Sequence, residues 1–389
     1  MFYDLAVPSW GVEETESIRR VIQSGRFTMA DEVANFEREF AAYLGMKHAV
    51  MVNSGSSANL ISVAALFYKR RRPLLRGDEV IVPAISWGTT YHPLQQYGLR
   101  LRFVDVELDT LNIDASRMEE ACTPGTRMIV AVNVLGNPSA LDVIRDFADR
   151  HDLYLLEDNC ESLDAELNGR KTGTFGDVNT FSFFYSHHIS TMEGGMVATN
   201  DTETDHLLRS LRAHGWTRDL PAGSTLFERS GCDHFEAYRF ILPGYNLRPT
   251  EISGAIGREQ LKKLPAMTCK RRKNLELFQR LFRGDERFVL QRENGKSSSF
   301  SFTLVLNPRC DLDREGVFAK LREADIGFRM ITGGCFLRHD ALRYFDYEVV
   351  GNVAHAEVVH DRGFFVGNGP CDLAAQITRL REVLDTAGR

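Results

Sequence analysis

The first guide to this sequence is what it lacks. None of its seven cysteines, Cys122, Cys160, Cys232, Cys269, Cys310, Cys335 and Cys371, forms a CxxC pair with another. An odd, scattered set signals neither a zinc site nor a cysteine-ligated iron–sulfur cluster, so no metal is expected. It suits a reduced, cytoplasmic protein. No apolar run reaches about 18 residues, so no membrane-spanning helix and no membrane partner is expected. The opening residues, MFYDLAVPSWGVEETESIRR, carry no basic start followed by an apolar core, and no signal peptide is expected. Positive charge is in deficit: 47 Lys and Arg against 53 Asp and Glu leave a net charge of −6. That balance disfavours non-specific binding to nucleic acid or to an anionic membrane, while leaving room for a local basic pocket. Internal repeats and low-complexity segments are also missing.

Apolar residues are not scarce. They make up 43% of 389 residues, enough for a substantial core in a chain longer than one ordinary domain. Two helical patterns open the chain, VEETESIRRVIQSG and VANFEREFAAYLG, each stopping at a glycine (Gly25, Gly45) as expected beyond a helix C-terminus. Strand-like and helix-like segments then alternate. KHAVMVNSG leads into a helix from about Ser57 to Arg70, DEVIVPA into one over Trp87–Tyr97, and RMIVAVNVLG into SALDVIRDFADRH; LYLLEDN and VNTFSFFY follow. Continuous apolar runs of this length between helices predict a buried, mostly parallel sheet and an α/β fold. Beyond residue 200 a helix and a long polar loop follow, then a helical stretch over about Thr250–Phe282 with a break expected at Pro265. From about Asn294 the pattern is α+β. A boundary at about 250–285 divides the chain into a large part, 1–250, and a smaller α+β part, 251–389.

Ligands of open α/β sheets gather at the carboxyl ends of the strands, and the residues there are distinctive. The first core strand ends in NSGSSANL. Small residues entering a helix leave backbone N–H groups free for an anion, and Ser56 and Ser57 add hydroxyls; the same turn also reads as an ordinary N-capped helix start. The second strand leads to Trp87, a flat ring for stacking or a core aromatic. Asp158 ends LYLLED, where a buried carboxylate needs a cation or strong donors, or serves as a helix N-cap. A protonated pyridine nitrogen is one such partner. Then comes SFFYSHHISTMEGG, with adjacent histidines His187 and His188. Adjacent residues seldom chelate one ion together, and no nearby His, Cys or Asp set completes a metal site.

This succession, together with GYNLRPTEISGAIG (Gly244–Gly257), resembles the DegT/DnrJ/EryC1/StrS family of sugar aminotransferases over nearly the whole chain. The resemblance implies the aspartate aminotransferase-like fold (fold type I of the pyridoxal-phosphate enzymes), with a mostly parallel seven-stranded sheet and a small C-terminal α+β domain. It implies that Ser56, Ser57 and Ser182 bind the cofactor phosphate, that Trp87 stacks on the pyridine ring, that Asp158 pairs with its nitrogen, and that Glu161 lies on the ring's hydroxyl side. Asn246 would reach the phosphate of the neighbouring subunit's cofactor, which implies a homodimer with shared active sites. Phe27, His214, Arg218 and Arg329 become candidates for the sugar nucleotide. The family's F-T-x-G reads Phe27-Thr28-Met29-Ala30 here.

One departure changes the expected chemistry. Where the aminotransferases carry the lysine that forms a Schiff base with pyridoxal phosphate, this sequence has His187, and the nearest upstream lysine is Lys171. Imidazole forms no stable imine, but a histidine titrating near neutrality is a good general base. The same exchange marks the family's pyridoxamine-phosphate-dependent sugar 3-dehydratases. Those implied activities are loss of the C3 hydroxyl from a nucleotide-linked 4-keto-6-deoxy sugar, release of ammonia, and regeneration of pyridoxamine phosphate from pyridoxal phosphate by glutamate. Overall likeness favours a GDP-linked 4-keto-6-deoxymannose. The absence of clustered cysteines argues against the iron–sulfur branch that acts on a CDP-linked sugar. A 4-aminotransferase drawing a lysine from elsewhere and a non-catalytic sugar-nucleotide-binding relative are the alternatives. His188 is read as structural.

Overall fold

The computed structural model describes residues 2–386. The chain opens with α1 (Val12–Ser24) and α2 (Asp31–Leu44), stopped by Gly25 (φ 69°) and Gly45 (φ 76°) in the left-handed conformation that glycine adopts without a Cβ penalty. Next come β1 (His48–Val52), α3 (Gly55–Phe67), β2 (Glu79–Pro83), α4 (Gly88–Gln96) and β3 (Arg100–Val104). The short α5 (Met118–Ala121) precedes β4 (Thr126–Val132), α6 (Leu141–Arg150) and β5 (Tyr154–Asp158). A small hairpin, β6 (Glu166–Leu167) and β7 (Arg170–Lys171), leads to β8 (Val178–Ser182) and β9 (Gly195–Thr199).

After α7 (Thr202–Arg212) a long loop carries only α8 (Asp233–Glu236) before the 32-residue α9 (Glu251–Phe282). The remainder comprises β10 (Phe288–Leu290), β11 (Ser301–Leu306), α10 (Arg314–Glu323), β12 (Phe328–Arg329), β13 (Tyr347–Val349), α11 (Ala354–Arg362), β14 (Gly363–Gly367) and α12 (Ala374–Thr386).

The main sheet has eight strands in the order β1-β9-β8-β5-β4-β2-β3-β13, with only β9 running antiparallel to its neighbours. The family resemblance led to seven. The eighth is β13, a three-residue strand from the C-terminal part that pairs with the otherwise open edge of β3. Such a short edge strand carries no periodic signal of its own, and only the tertiary structure supplies its partner. A second, four-stranded antiparallel sheet, β10-β11-β14-β12, has its own apolar cluster, centred on Phe302, Phe364 and Leu380.

Both faces of the main sheet are covered, as its unbroken apolar strands require. At the β1-β9-β8 end, α2 brings Phe36 and Phe40 against Phe181 and Phe183 of the β8 segment, with ring centroids 5.0–5.5 Å apart and mostly edge-to-face. This packing holds the strand that leads to the histidine doublet. Pro265 does not break α9. Its missing N–H is tolerated because Leu261, Leu264 and Met267 on the same stretch are buried against α2 and the β1 end of the sheet.

One buried ion cluster ties these parts together. Glu37 on α2 accepts the Met51 N–H (2.9 Å) and pairs with Arg209 (2.8 Å) and Arg212 (2.5 Å) on α7. Burial opposes its ionisation, but the two guanidiniums hold its carboxyl below the ordinary carboxylate range. Glu37→Ala leaves Arg212 buried and unpaired, and should cost about 3–5 kcal/mol in a denaturant titration at neutral pH. With the folded-state value depressed, the contribution of Glu37 is present above the unfolded carboxylate range and fades as pH falls through it, so the difference between wild type and variant should shrink in acid.

Candidate active site

The carboxyl ends of β1, β5 and β8 converge on one cradle. From β1 the chain turns through Asn53 and Ser54 into α3, where Ser54 Oγ accepts the Ser57 N–H (3.1 Å). Ser57 Oγ donates to Asn53 Oδ1 (2.6 Å), and Ser56 Oγ donates to Thr89 Oγ1 (3.0 Å) at the start of α4. The turn is therefore an N-capped helix start, and the first N–H groups of such a helix have no intrahelical partner and stand at the positive end of its dipole. Ser182, the last residue of β8, lies against it. A Cβ on Gly55 would sit 2.5 Å from the Ser182 Cβ, and one on Gly195 would sit 2.3 Å from the Ser54 carbonyl oxygen. Only glycine at both positions lets the three strand ends close up.

Asp158 is 4% exposed. Its Oδ2 accepts from Asn59 Nδ2 and Thr90 Oγ1, both at 2.9 Å, and its Oδ1 accepts the Cys160 N–H at 3.1 Å. Thr180 donates to Asn59 Oδ1 (2.7 Å) and Ser86 to Thr90 (2.8 Å), which turns both donors toward the carboxylate. A further lone pair on Oδ1 remains for a cationic partner. The Trp87 side chain is 62% exposed at the N-cap position of α4, so it is no core aromatic.

Glu161 accepts the Leu135 N–H (3.0 Å). Burial pushes its carboxyl up to about 7 against that hydrogen bond, with the nearby Asp158 adding to the rise. Leu135 itself sits at φ 53°, a conformation that a leucine adopts only when its surroundings hold it there.

His187 lies in the turn beyond β8, where its N–H donates to the Phe184 carbonyl (2.9 Å). Its ring lies edge-on between Phe184 and Phe300, at centroid distances of 5.8 and 5.3 Å. Nδ1 is buried without a hydrogen-bond partner, leaving Nε2 as the nitrogen with access to a reacting group. The expectation of near-neutral titration is corrected: burial, then the Arg271 charge, pulls this imidazole down to about 4. His188 is buried, with its Nε2 3.3 Å from the Ser298 carbonyl oxygen. That position suits the structural reading.

The other sequence candidates are placed less uniformly. Asn246 is exposed, and its Oδ1 accepts from Arg248 Nε (3.1 Å); the next residue, Leu247, accepts the Asn53 N–H (3.0 Å), so this segment borders the cradle. His214, at φ 65°, donates its N–H to Tyr245 on the same segment. Arg218 is exposed and lies over the Trp216 ring at 5.2 Å. Arg329 is exposed on β12, and the Phe27 ring is 55% exposed. No contact among the described residues joins Arg218, Arg329 or Phe27 to the cradle.

At the changed F-T-x-G turn, Glu251 receives the N–H groups of Ala30 and Glu32 (2.6 Å each) and of Val33 (3.3 Å), and the φ of Ala30 is −150°, which an alanine can adopt. Lys171 pairs with Asp164 (2.5 Å) and lies over the Tyr43 ring, engaged in the β6–β7 hairpin region. Among the described residues no three His, Cys, Asp or Glu stand together as a metal site, and no helix is long and apolar enough to cross a membrane.

Sequence reasoning missed four contributors. Asn59 and Thr90 lie inside the strand-end motifs, and their single-turn offsets from Ser56 and Trp87 could have suggested that they point to Asp158. Phe300 and Arg271 are remote in sequence and carried no signal.

A small-residue turn at a helix start, a buried carboxylate and an exposed indole at the strand ends of such a sheet match the site of a pyridoxal-phosphate-dependent enzyme of the aspartate aminotransferase-like fold, the class to which the solved relatives below belong. The chain matches the DegT/DnrJ/EryC1/StrS aminotransferase family over residues 8–371, and it belongs to that family. It is 49% identical over 384 residues to GDP-4-keto-6-deoxy-D-mannose 3-dehydratase of Yersinia pseudotuberculosis, covering 98% of each chain. The E. coli GDP-4-keto-6-deoxy-D-mannose-3-dehydratase with bound hydrated PLP superposes with a TM-score of 0.96 at 48% identity, over 98% of this chain and 99% of that one. A GDP-4-keto-6-deoxymannose-3-dehydratase structure with a trapped PLP–glutamate geminal diamine matches equally well, with a TM-score of 0.96, 48% identity and coverage of 98% and 100%.

The residues present fit the cofactor. The small-residue turn suits a phosphate, the Asp158 lone pair a ring N–H, and the exposed Trp87 face a flat ring.

The folded protein withholds a proton from His187 that the unfolded chain accepts near pH 6.5. Stability should therefore be fully retained above that pH and fall as pH drops toward 4. Histidine NMR on the cofactor-free protein should find the His187 imidazole neutral at pH 6, and a midpoint above 6 would contradict its burial in the apolar recess.

Proposed function

We propose that this chain removes the C3 hydroxyl from a nucleotide-linked 4-keto-6-deoxy sugar, with GDP-4-keto-6-deoxy-D-mannose as substrate, and releases the 4-keto-3,6-dideoxy sugar and ammonia. The single observation that carries this reading is His187 at the position of the family's lysine, inside an otherwise complete cofactor cradle. When bound, pyridoxamine phosphate supplies an amine for the sugar's C4 ketone and a ring that acts as an electron sink. Glutamate serves as the amino donor that renews it.

The chain's own groups then have separable tasks. Ser56, Ser57 and Ser182, with the free N–H groups of α3, hold the phosphate. Asp158, which accepts hydrogen bonds from three donors, would face the ring nitrogen with a free lone pair. Trp87 covers one face of the ring. His187 is neutral at physiological pH and takes up and returns a proton at Nε2. It cannot hold the cofactor covalently, so the cofactor in its amine form can be exchanged or renewed without competition from a lysine. Glu161, poised near 7, is placed to exchange a proton on the Leu135 side of the site.

The same reading takes the protein as a cytoplasmic homodimer in which Asn246 reaches the partner's cofactor. Its support is the exposure of Asn246 beside the cradle and of Trp87, Phe184 and Tyr185 around it, a large aromatic surface for an isolated chain to leave open. It also assigns residues 1–250 to cofactor binding and 251–389 to the linking helix and smaller α+β part. Phe27, His214, Arg218 and Arg329 are assigned to the sugar nucleotide.

Supplied with pyridoxamine phosphate, glutamate and GDP-4-keto-6-deoxymannose, the protein should produce ammonia and a 3-deoxy sugar in equal amounts. A 4-amino sugar without ammonia would make it an aminotransferase instead, and the CDP- and dTDP-linked ketosugars assayed alongside test the nucleotide. His187→Asn should keep the cofactor absorbance and lose turnover by about 10²–10⁴-fold, the usual worth of a positioned base.

A further inference from the structure

A buried arginine stands behind the histidine doublet, and the proposed reaction gives it no task. Arg271, on α9, is 3% exposed and has no ion pair among the described residues. Its guanidinium donates to two backbone carbonyls, Phe300 (3.2 Å) and Asn368 (2.6 Å), while its Nε is buried without a partner. A buried charge held only by carbonyl dipoles is costly, and an apolar side chain of similar volume would suit a purely structural position better.

The element it anchors is the wall of the active site. Phe300 packs edge-on against His187 and, tilted at 5.8 Å, against His188, and the Ser298 carbonyl oxygen lies 3.3 Å from His188 Nε2. From the opposite side the segment is clamped by the loop after β4: Ser298 N–H donates to Gly136 (3.0 Å) and Phe300 N–H to Leu135 (3.1 Å). A Cβ on Gly136 would sit 2.7 Å from the Ser299 nitrogen, so this contact has no slack. Asn368 closes the frame by donating to the Arg271 and Ser299 carbonyls, each at 3.0 Å.

We infer that Arg271 is a positioning residue for His187: it pins the Ser298–Phe300 wall against the imidazole and directs an uncompensated positive charge at the doublet. The charged or titratable groups that act most on the pair are Arg271 and Arg272 from α9 and the two histidines themselves, and Cys371 acts in turn on Arg271. Removing the Arg271 charge therefore eases protonation of His187, in keeping with the depressed titration of that ring. This role rests on the assignment of His187 as the proton carrier.

The test is a histidine NMR titration of the cofactor-free protein, with His187 identified from the His187→Asn spectrum. In Arg271→Met the His187 midpoint should rise by about one pH unit, and Arg271→Lys, which keeps the charge, should restore it to near the wild-type value. If Arg271→Met does not fold, Arg271→Gln keeps a donor for the Phe300 carbonyl and gives the same reading. A folded Met or Gln variant with an unmoved midpoint overturns the inference, because loss of a merely structural contact lowers stability without that shift. The titration needs no turnover. A shifted midpoint in a protein that fails to dehydrate the ketosugar would refute the proposed reaction and leave the effect of Arg271 on His187 standing.

Discussion

The site depends on how closely three strand ends approach one another. β9 runs antiparallel between β1 and β8, and its first residue, Gly195, lies against the turn that opens α3. With a side chain there, or at Gly55, Ser182 could not stand beside the serine-rich helix start. The hydroxyls of Ser182 and of the helix start would then be pushed apart. The Phe36–Phe40–Phe181–Phe183 packing beneath the sheet fixes the same strand from the other side. The segment beyond β8, His187 included, inherits its position from that contact.

Around this cradle the electrostatics divide into two regions. On one side Asp158 is surrounded by donors and suited to meet a cation. On the other, His187 and His188 sit in an apolar recess beside a buried guanidinium, which favours the neutral imidazole. A lysine in that recess would face the same cost in holding a charge. A histidine there can exchange a proton but cannot form a stable imine, and on the proposed reading dehydration rather than amination follows from that loss.

Much of the architecture was legible because it is written in local patterns. The two N-terminal helices with their glycine stops, the alternating strands and helices, and the order of strand-end motifs all depend on periodicity and on single residues with special backbone freedom. Two expectations failed for a common reason. Pro265 signals a break locally, yet burial on three neighbouring positions keeps α9 continuous. The edge strand Tyr347–Val349 is too short to show a period, yet β3 offers it an open edge. Each time a long-range contact outweighed a weak local preference.

By itself, then, the sequence determined the fold class, the cofactor-type turn, the acidic strand end and the replacement of a lysine by His187. Each of these is a matter of residue identity at a motif position. Only the tertiary structure decided how those residues behave. It set His187 well below neutral titration, raised Glu161 toward 7, oriented Asn59 and Thr90 onto Asp158, and brought Arg271 and Phe300 from distant segments behind the doublet. The physical reason is that desolvation and Coulomb interactions depend on what is near in space, and a chain does not record that in its order.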